Sequence, residues 1–243
     1  MKLFSYLDFK IKSSGLIGGK KVESLLREYL SSMNIEDLPK PLITIAADIT
    51  TGHEVWIKQG DLVDGMKASF AMPGVFPPVN HHNRMLIDGA LVNPVPVSPC
   101  QAEGAHLTIA IDLNADMIGK AARRSGKYQT VMGFDILEDE NIPNESKSFL
   151  NRFSLTRRLF RRETDSASMF GVMMSSLNII QDRITRSRLA GDPPDVHIKP
   201  KIGHIGMLEF DKAEELIKAG EDAVERKIGD IISAIEILTP PQN

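Results

Sequence analysis

The residue whose surroundings could support chemistry is Asp88, near the centre of the stretch 67–97, KASFAMPGVFPPVNHHNRMLIDGALVNPVPV. The apolar run 85–87 ends abruptly at Asp88 and Gly89, and Pro94 and Pro96 stiffen the loop that follows. An acid at the end of a buried strand can be a presented carboxylate. Partial desolvation would raise its pKa and suit it to act as general base toward a hydroxyl group. An aspartate that only begins a turn is the alternative, and the motif alone does not decide between the two.

Two further acids, Asp48 and Asp112, also end apolar runs that are predicted to be strands. Strand ends line the crevice of open α/β sheets, so either carboxylate could orient groups in a site. Capping or turn formation is the alternative for both, and the sequence favours it.

Metal and nucleotide sites find little support. His81 and His82 are adjacent, so their side chains diverge, and the chain has neither a His-x3-His nor a Cys-x2-Cys pair. The glycines of the segment 15–19 lack the Lys-Ser/Thr ending of a phosphate loop and the buried strand of a dinucleotide fingerprint. Cys100 has no activating base nearby in sequence and is predicted to be an inert, buried thiol. We therefore predict no metal and no cofactor.

Composition limits the class of protein. The chain has 243 residues, of which 42% are hydrophobic and 25% charged, as in an ordinary globular domain. A net charge of -3 predicts no nucleic-acid partner. The single cysteine excludes an internal disulfide framework, and the sequence predicts neither a membrane span nor a signal peptide. The expected location is the cytoplasm.

The order of predicted elements favours an α/β fold. The segment 42–49, LITIAADI, is almost continuously apolar, which is typical of a strand buried on both faces in a parallel sheet. Further strands are predicted at 107–113 and 195–200, a helix capped by Asp61 at 61–70, and a long C-terminal helix capped by Asp211. We expect a helix-covered, mostly parallel sheet within one domain, residues 1–243, with the proline-rich segment 75–84 as loop.

The segment 115–165 breaks this pattern. It is polar, lacks a clean period, and is interpreted as a variable flap or insertion. Within it, 151–162 (NRFSLTRRLFRR) interleaves apolar residues with arginines, including Arg157, Arg158, Arg161 and Arg162. A basic amphipathic helix of this kind can lie on an anionic membrane surface, so peripheral membrane contact is one hypothesis. A solvated helix whose apolar side packs on the protein is the other.

Four segments carry a resemblance to a known family: 15–26 (GLIGGKKVESLL), 35–60 (IEDLPKPLITIAADITTGHEVWIKQG), 67–79 (KASFAMPGVFPPV) and 86–97 (LIDGALVNPVPV). In their order and spacing the chain resembles the patatin-like phospholipases, particularly the bacterial branch related to neuropathy target esterase. The segment 193–223 resembles the C-terminal portion of that family more weakly. The resemblance implies a patatin-like three-layer α/β fold.

The resemblance also implies a hydrolase of lipid acyl esters that uses a Ser–Asp dyad. The aspartate of the family's D-G-[GA] motif is the base, and it matches Asp88, followed by Gly89 and Ala90. The family's glycine-rich oxyanion loop and G-x-S-x-G serine normally precede the point matching Gly15. No G-x-S-x-G sequence occurs in the 243 residues, and serines such as Ser5, Ser13, Ser14 and Ser69 lack the strand–turn–helix context.

The resemblance therefore predicts an N-terminally truncated domain that is inactive alone. A truncated sequence, a split gene whose partner chain supplies the nucleophile, and a decayed remnant remain open as explanations. Without the preceding layers, the strand at 42–49 would keep an unpaired edge and an exposed apolar face. A non-catalytic module that binds lipid surfaces, or that is completed by a partner, is the alternative function.

Overall fold

The computed structural model describes residues 19–30, 33–116, 169–205 and 212–238. These residues form six α-helices and six β-strands. In chain order the elements are α1 (Lys20–Leu30), β1 (Thr44–Asp48), β2 (Glu54–Ile57), α2 (Leu62–Ser69), β3 (Val79–His81), β4 (Arg84–Asp88), α3 (Val97–Ala102), β5 (Ile109–Ile111), α4 (Met169–Gly191), β6 (Val196–Ile198), α5 (Ala213–Glu225) and α6 (Ile228–Leu238). Short 3₁₀ turns occur at Ile35–Asp37 and Gly89–Leu91.

A four-stranded sheet in the order β2-β1-β4-β3 positions the region around Asp88. All five residues of β1 are buried, as the apolar run 42–49 predicts. Helix α2 packs on β1 and β4, and Ala46, Leu86 and Ala68 are completely buried where these elements meet. Asp61 caps α2 as predicted, since its carboxylate accepts a hydrogen bond from the backbone N–H of Asp64 at 2.9 Å.

The α/β class is confirmed, but the expectation of a mostly parallel sheet is wrong for these four strands. Every pair among them is antiparallel. The connections explain this direction for two of the three pairs, because only five residues join β1 to β2 and only two join β3 to β4. Such short connections close hairpins, whereas a parallel pair needs a crossover of a dozen residues or more.

The β3–β4 hairpin also corrects the prediction that 75–84 is entirely loop. His82 and Asn83 form its turn with φ values of +49° and +62°. Two successive positive φ values define the type I′ turn, whose twist matches that of the flanking strands. Because Asn tolerates this conformation better than most residues, a hairpin forms without the usual glycine.

The predicted unpaired edge at 42–49 is wrong for β1, which lies between β2 and β4. Strands β5 and β6 form a separate two-stranded sheet. Their flanking backbone bonds join Val196 N to Thr108 O at 3.1 Å and Asp112 N to Ile198 O at 2.9 Å. The bonded positions advance together along both strands, so this pair is parallel.

The described residues fall into two compact units. The first holds the residues up to Ala110, Arg183–His197 and those from Gly229 onward, and the second holds the remainder. The single long C-terminal helix is also corrected, because α5 and α6 are separate helices. The predicted cap Asp211 and the flap from residue 117 onward lie outside the described residues, and the assignment of one domain stays a prediction.

Candidate active site

Backbone contacts hold Asp88 from two sides at the end of β4. Asp88 pairs with Ala46 of the central strand, and its backbone N–H donates to the carbonyl of Ala71 at 3.0 Å. The residue is 8% exposed, and Leu86, two positions earlier on the same face of the strand, is completely buried. Because successive side chains alternate between the faces of a sheet, the burial of Leu86 fixes the side of the sheet from which Asp88 projects.

Gly89 allows the chain to turn directly against the central strand. A Cβ atom at this position would lie 2.2 Å from the carbonyl oxygen of Ile45 and 2.5 Å from its carbonyl carbon. Both distances are far inside van der Waals contact, so any side chain at position 89 would displace backbone. The requirement for glycine after Asp88 is therefore steric.

The carboxylate of Asp88 caps the short 3₁₀ turn that follows it. Its Oδ1 accepts a hydrogen bond from the backbone N–H of Ala90 at 2.8 Å. Its second oxygen, Oδ2, has no hydrogen-bond donor among the residues that the structure describes. Asp88 thus does form a turn, but the turn occupies only one of its two oxygens.

Burial raises the pKa of the Asp88 carboxyl above its usual value, and the hydrogen bond from Ala90 offsets part of this rise. Desolvation disfavours the ionised form, whereas an N–H donor favours it. A carboxylate with a raised pKa accepts a proton more readily than a solvated one. The geometry and the direction of the shift both suit a general base.

Asp88 lines a cleft of about 310 Å³. The apolar part of its wall comes from Ile43, Ile45, Ala90, Pro94 and Pro96. The polar part comes from Thr44, Ser69 and Asn93 together with Asp88. Small-molecule sites are typically apolar concavities with a few convergent polar groups, and this cleft has that character and a suitable size. Ser69 is the last residue of α2, so it lacks the strand–turn–helix setting of an activated nucleophile.

Asp48 and Asp112 have the turn-forming role that the sequence favours. The Oδ1 atom of Asp48 accepts the backbone N–H of Thr50 at 2.9 Å, and this bond is the main cause of a lowered pKa. The Oδ1 atom of Asp112 accepts the backbone N–H of Asn114 at 3.0 Å. Neither aspartate lines the cleft of Asp88.

One cluster beside the cleft escaped sequence reasoning. The carboxylate of Glu54, on β2, accepts hydrogen bonds from Trp56 Nε1 at 2.7 Å, Asn93 Nδ2 at 2.8 Å and an Arg188 guanidinium nitrogen at 2.9 Å. Asn93 and Arg188 are 39 and 134 residues from Glu54 in sequence. No local pattern could have indicated contacts of that separation.

The remaining candidates are placed as follows. Cys100 is exposed, which corrects the expectation of a buried thiol, because α3 buries Val97 and Pro99 instead. The rings of His81 and His82 meet edge to face, with centroids 4.4 Å apart, which corrects the expectation that these two side chains diverge. The described residues contain no cluster of three or more His, Cys, Asp or Glu side chains suited to a metal ion.

The predicted membrane-contact segment and most of the glycine segment 15–19 are not among the described residues. Gly15 and Gly18, and the arginines at 157, 158, 161 and 162, lie outside the described residues. Within the described ranges, every helix is too short or too polar to cross a membrane.

Comparison with known proteins gives a consistent set of similarities. A family model described as patatin-like phospholipase matches residues 1–100. An uncharacterised NTE family protein of Mycobacterium tuberculosis is 28% identical over 251 residues, covering 88% of this chain and 70% of the relative. A second such protein from the same organism is 25% identical over 218 residues, covering 89% of this chain and 33% of the relative. A putative patatin-like phospholipase domain-containing protein of Caenorhabditis elegans is 22% identical over 223 residues, covering 88% of this chain and 18% of the relative.

Proposed function

The chain belongs to the patatin-like phospholipase family, and on that premise we propose that it carries the aspartate of a Ser–Asp dyad that hydrolyses lipid acyl esters. Asp88 is the general base in this proposal, and Gly89 and Ala90 complete its motif. The supporting observation is a buried carboxyl at the wall of an apolar cleft, with one oxygen fixed by a turn and the other without a donor among the described residues.

The reaction follows from these two oxygens. Asp88 Oδ2 takes the proton of a serine hydroxyl while the serine oxygen attacks the ester carbonyl carbon. The protonated Asp88 then returns the proton to the departing alcohol, leaving an acyl-serine. Water deprotonated by Asp88 attacks the acyl-serine, and the proton passes back to serine as the fatty acid leaves. A raised pKa of Asp88 helps each proton uptake in this sequence, because it stabilises the protonated form that exists between uptake and return.

The serine comes from outside these residues in this proposal, because no G-x-S-x-G sequence lies between Met1 and Asn243. A preceding segment of the same polypeptide or a separate partner chain could provide it. The oxyanion donors would come with that segment. The 243 residues would then be the part of one patatin-like domain that provides the base and one wall of the acyl site.

Reconstitution tests this assignment. The chain is mixed with a separately produced segment that carries the glycine-rich loop and G-x-S-x-G of a patatin-like phospholipase, and hydrolysis of a fluorogenic acyl ester is followed. We expect no hydrolysis and no labelling by a fluorophosphonate probe with the chain alone. Hydrolysis should appear with the added segment and be lost on Asp88→Asn.

Asp48→Asn is the matched control, since it changes a strand-end carboxylate that does not line the cleft and keeps an acceptor for its turn. Undiminished hydrolysis by the Asp88→Asn mixture would refute the role of base. Strong labelling of the chain alone, lost on Asp88→Asn, would instead locate the nucleophile within these residues.

A second function has support in the sequence of the flap. We propose that its basic amphipathic segment, with Arg157, Arg158, Arg161 and Arg162, contacts anionic lipid surfaces, with or without catalysis. Flotation with phosphatidylserine-containing and purely zwitterionic vesicles tests this. Binding should need the anionic lipid, weaken with salt and be lost when the four arginines become glutamine. Binding that ignores salt and these substitutions would exclude the proposal.

A further inference from the structure

We propose that Glu54 is a positioning residue for the Asp88 site, holding Asn93 and through it the turn that orients the carboxylate. The importance of this positioning for catalysis rests on the proposed function, whereas the positioning itself is a property of the fold.

Glu54 is a nearly buried carboxylate that accepts hydrogen bonds from three side-chain donors. Its side chain is 15% exposed, and its donors are an indole, a primary amide and a guanidinium. Hydrogen bonds to an ionised acceptor are shorter and stronger than neutral ones, and a low local dielectric strengthens them further. Glu54 is also fixed by its strand, where it pairs with Ala47 of β1. It is therefore a rigid anchor for the three side chains that donate to it.

The charge of Glu54 decides which way the amide of Asn93 points. An ionised carboxylate can only accept, so the amide nitrogen must face it, as the 2.8 Å contact has it. Asn93 Oδ1 then lies buried with no donor among the described residues. An apolar side chain would fill this space without an unpaired acceptor. Asn93 is consequently better explained by the donor that it offers to Glu54 than by packing.

Asn93 closes the turn that begins at Asp88. Its backbone N–H donates to the carbonyl of Gly89 at 2.9 Å, and that of Val92 donates to the same oxygen at 3.0 Å. Asn93 is 3% exposed and lines the cleft together with Asp88. Glu54 thus fixes the far end of the six-residue segment 88–93, whose near end carries the hydrogen bond from Ala90 to Asp88. Release of the far end should admit water to the carboxyl.

Glu54→Gln in the full chain is the test, because it keeps the shape of the side chain and removes its charge. Carbon-13 spectra of Asp-labelled protein follow the titration of Asp88, assigned with Asp88→Asn. Hydrogen exchange follows the amides of Val92 and Asn93. We expect a downward shift of the Asp88 midpoint as water enters, and about tenfold faster exchange of the two amides. Unchanged values for both would overturn the proposal.

Two further variants make the result specific. Glu103→Gln removes an exposed carboxylate that pairs with Lys58, and it should leave both readouts unchanged. Asn93→Asp places a second carboxylate against Glu54, so exchange at these amides should be fast near neutrality and slow again on acidification, when one proton is shared. If Glu54→Gln does not fold, Arg188→Gln replaces it, because this change removes only one partly exposed donor to Glu54. The Asp88 midpoint must then fall and the two amides must exchange faster, each by a smaller amount.

The outcome is separable from that of the proposed function. If the Asp88 midpoint moves in Glu54→Gln but Asp88→Asn retains hydrolysis in the reconstituted mixture, the positioning stands and the assignment of the base fails. If hydrolysis needs Asp88 but Glu54→Gln moves neither midpoint nor exchange, the base stands and the positioning role fails.

Discussion

Replacement of Gly89 by Ala tests the close approach that fixes the Asp88 turn. The added methyl carbon would lie 2.2 Å from the carbonyl oxygen of Ile45, whereas real Cβ contacts essentially never fall below 3.0 Å. The turn and the central strand must therefore separate by at least 3.0 − 2.2 = 0.8 Å. The central strand is buried and paired on both sides, so its backbone cannot shift without disturbing both neighbouring strands. Overpacking of this kind lowers the free energy of unfolding by about 1 to 3 kcal/mol, and we expect a loss of about 3 kcal/mol for Gly89→Ala.

Urea unfolding, monitored by tryptophan fluorescence, measures this loss with a probe next to the site of the change. Trp56 is the only tryptophan of the chain, and it pairs directly with Ile45. With a slope of about 2 kcal/mol per molar urea, the midpoint should fall by about 1.5 M. Gly191→Ala is the control within the same compact unit, because no atom lies within 4 Å of its added methyl group. Its midpoint should be unchanged or slightly raised.

Two results would refute the reasoning. A midpoint for Gly89→Ala equal to that of the wild type would mean that the turn absorbs the methyl group without strain. An equal fall for Gly191→Ala would mean that the loss does not report the contact with Ile45. If the reasoning holds, the same displacement of the Asp88 turn should also abolish most of the hydrolysis in the reconstituted mixture, since a misplacement of about 1 Å can cost about 100-fold in rate.

Two further predictions concern the same sheet. Burial raises the pKa of Asp88 in the folded state, so between the unfolded and folded pKa values the native state binds more protons and the free energy of unfolding falls as pH rises. Asp88→Asn has no carboxyl to titrate and keeps an acceptor for Ala90, so its stability relative to wild type should increase as pH rises through that window. Urea unfolding across the acid range measures this difference, and a difference that does not change with pH would contradict the prediction. In the β3–β4 turn, Asn83 has a φ of +62°, so Asn83→Gly should raise the free energy of unfolding by up to about 1 kcal/mol, whereas Asn83→Val should lower it by about 1 to 2 kcal/mol. Equal melting temperatures for these two variants would argue against the type I′ turn.

Features with a local cause were predictable from the sequence. The strand β1 follows from an unbroken apolar run, and the cap at Asp61 follows from an acid just before a helical stripe. Strand direction was not predictable in this way, because a strand covered on both faces reads the same whether its neighbours are parallel or antiparallel. The turn at His82 and Asn83 carries no glycine, so the strongest signal for a hairpin was missing.

The candidate site divides in the same way. Asp88 and Gly89 are adjacent, and their types and order were enough to single them out. Glu54 and Asn93 are joined only by the sheet, and neither belongs to a recognisable motif. Cys100 was misplaced for a related reason, since a six-residue helix carries too little periodicity to tell its buried face from its exposed one.

The two interpretations of Asp88, turn former and presented carboxylate, are parts of one arrangement. A general base needs a fixed direction as well as a raised pKa, and a carboxylate that is only buried would have several rotamers available. The bond from Ala90 to Oδ1 fixes the direction, at the expense of part of the rise in pKa that burial produces. Because that bond comes from a backbone N–H, it carries no net charge and lowers the pKa less than an arginine or lysine partner would. Turn formation therefore orients Oδ2 while leaving Asp88 basic enough for the proposed chemistry.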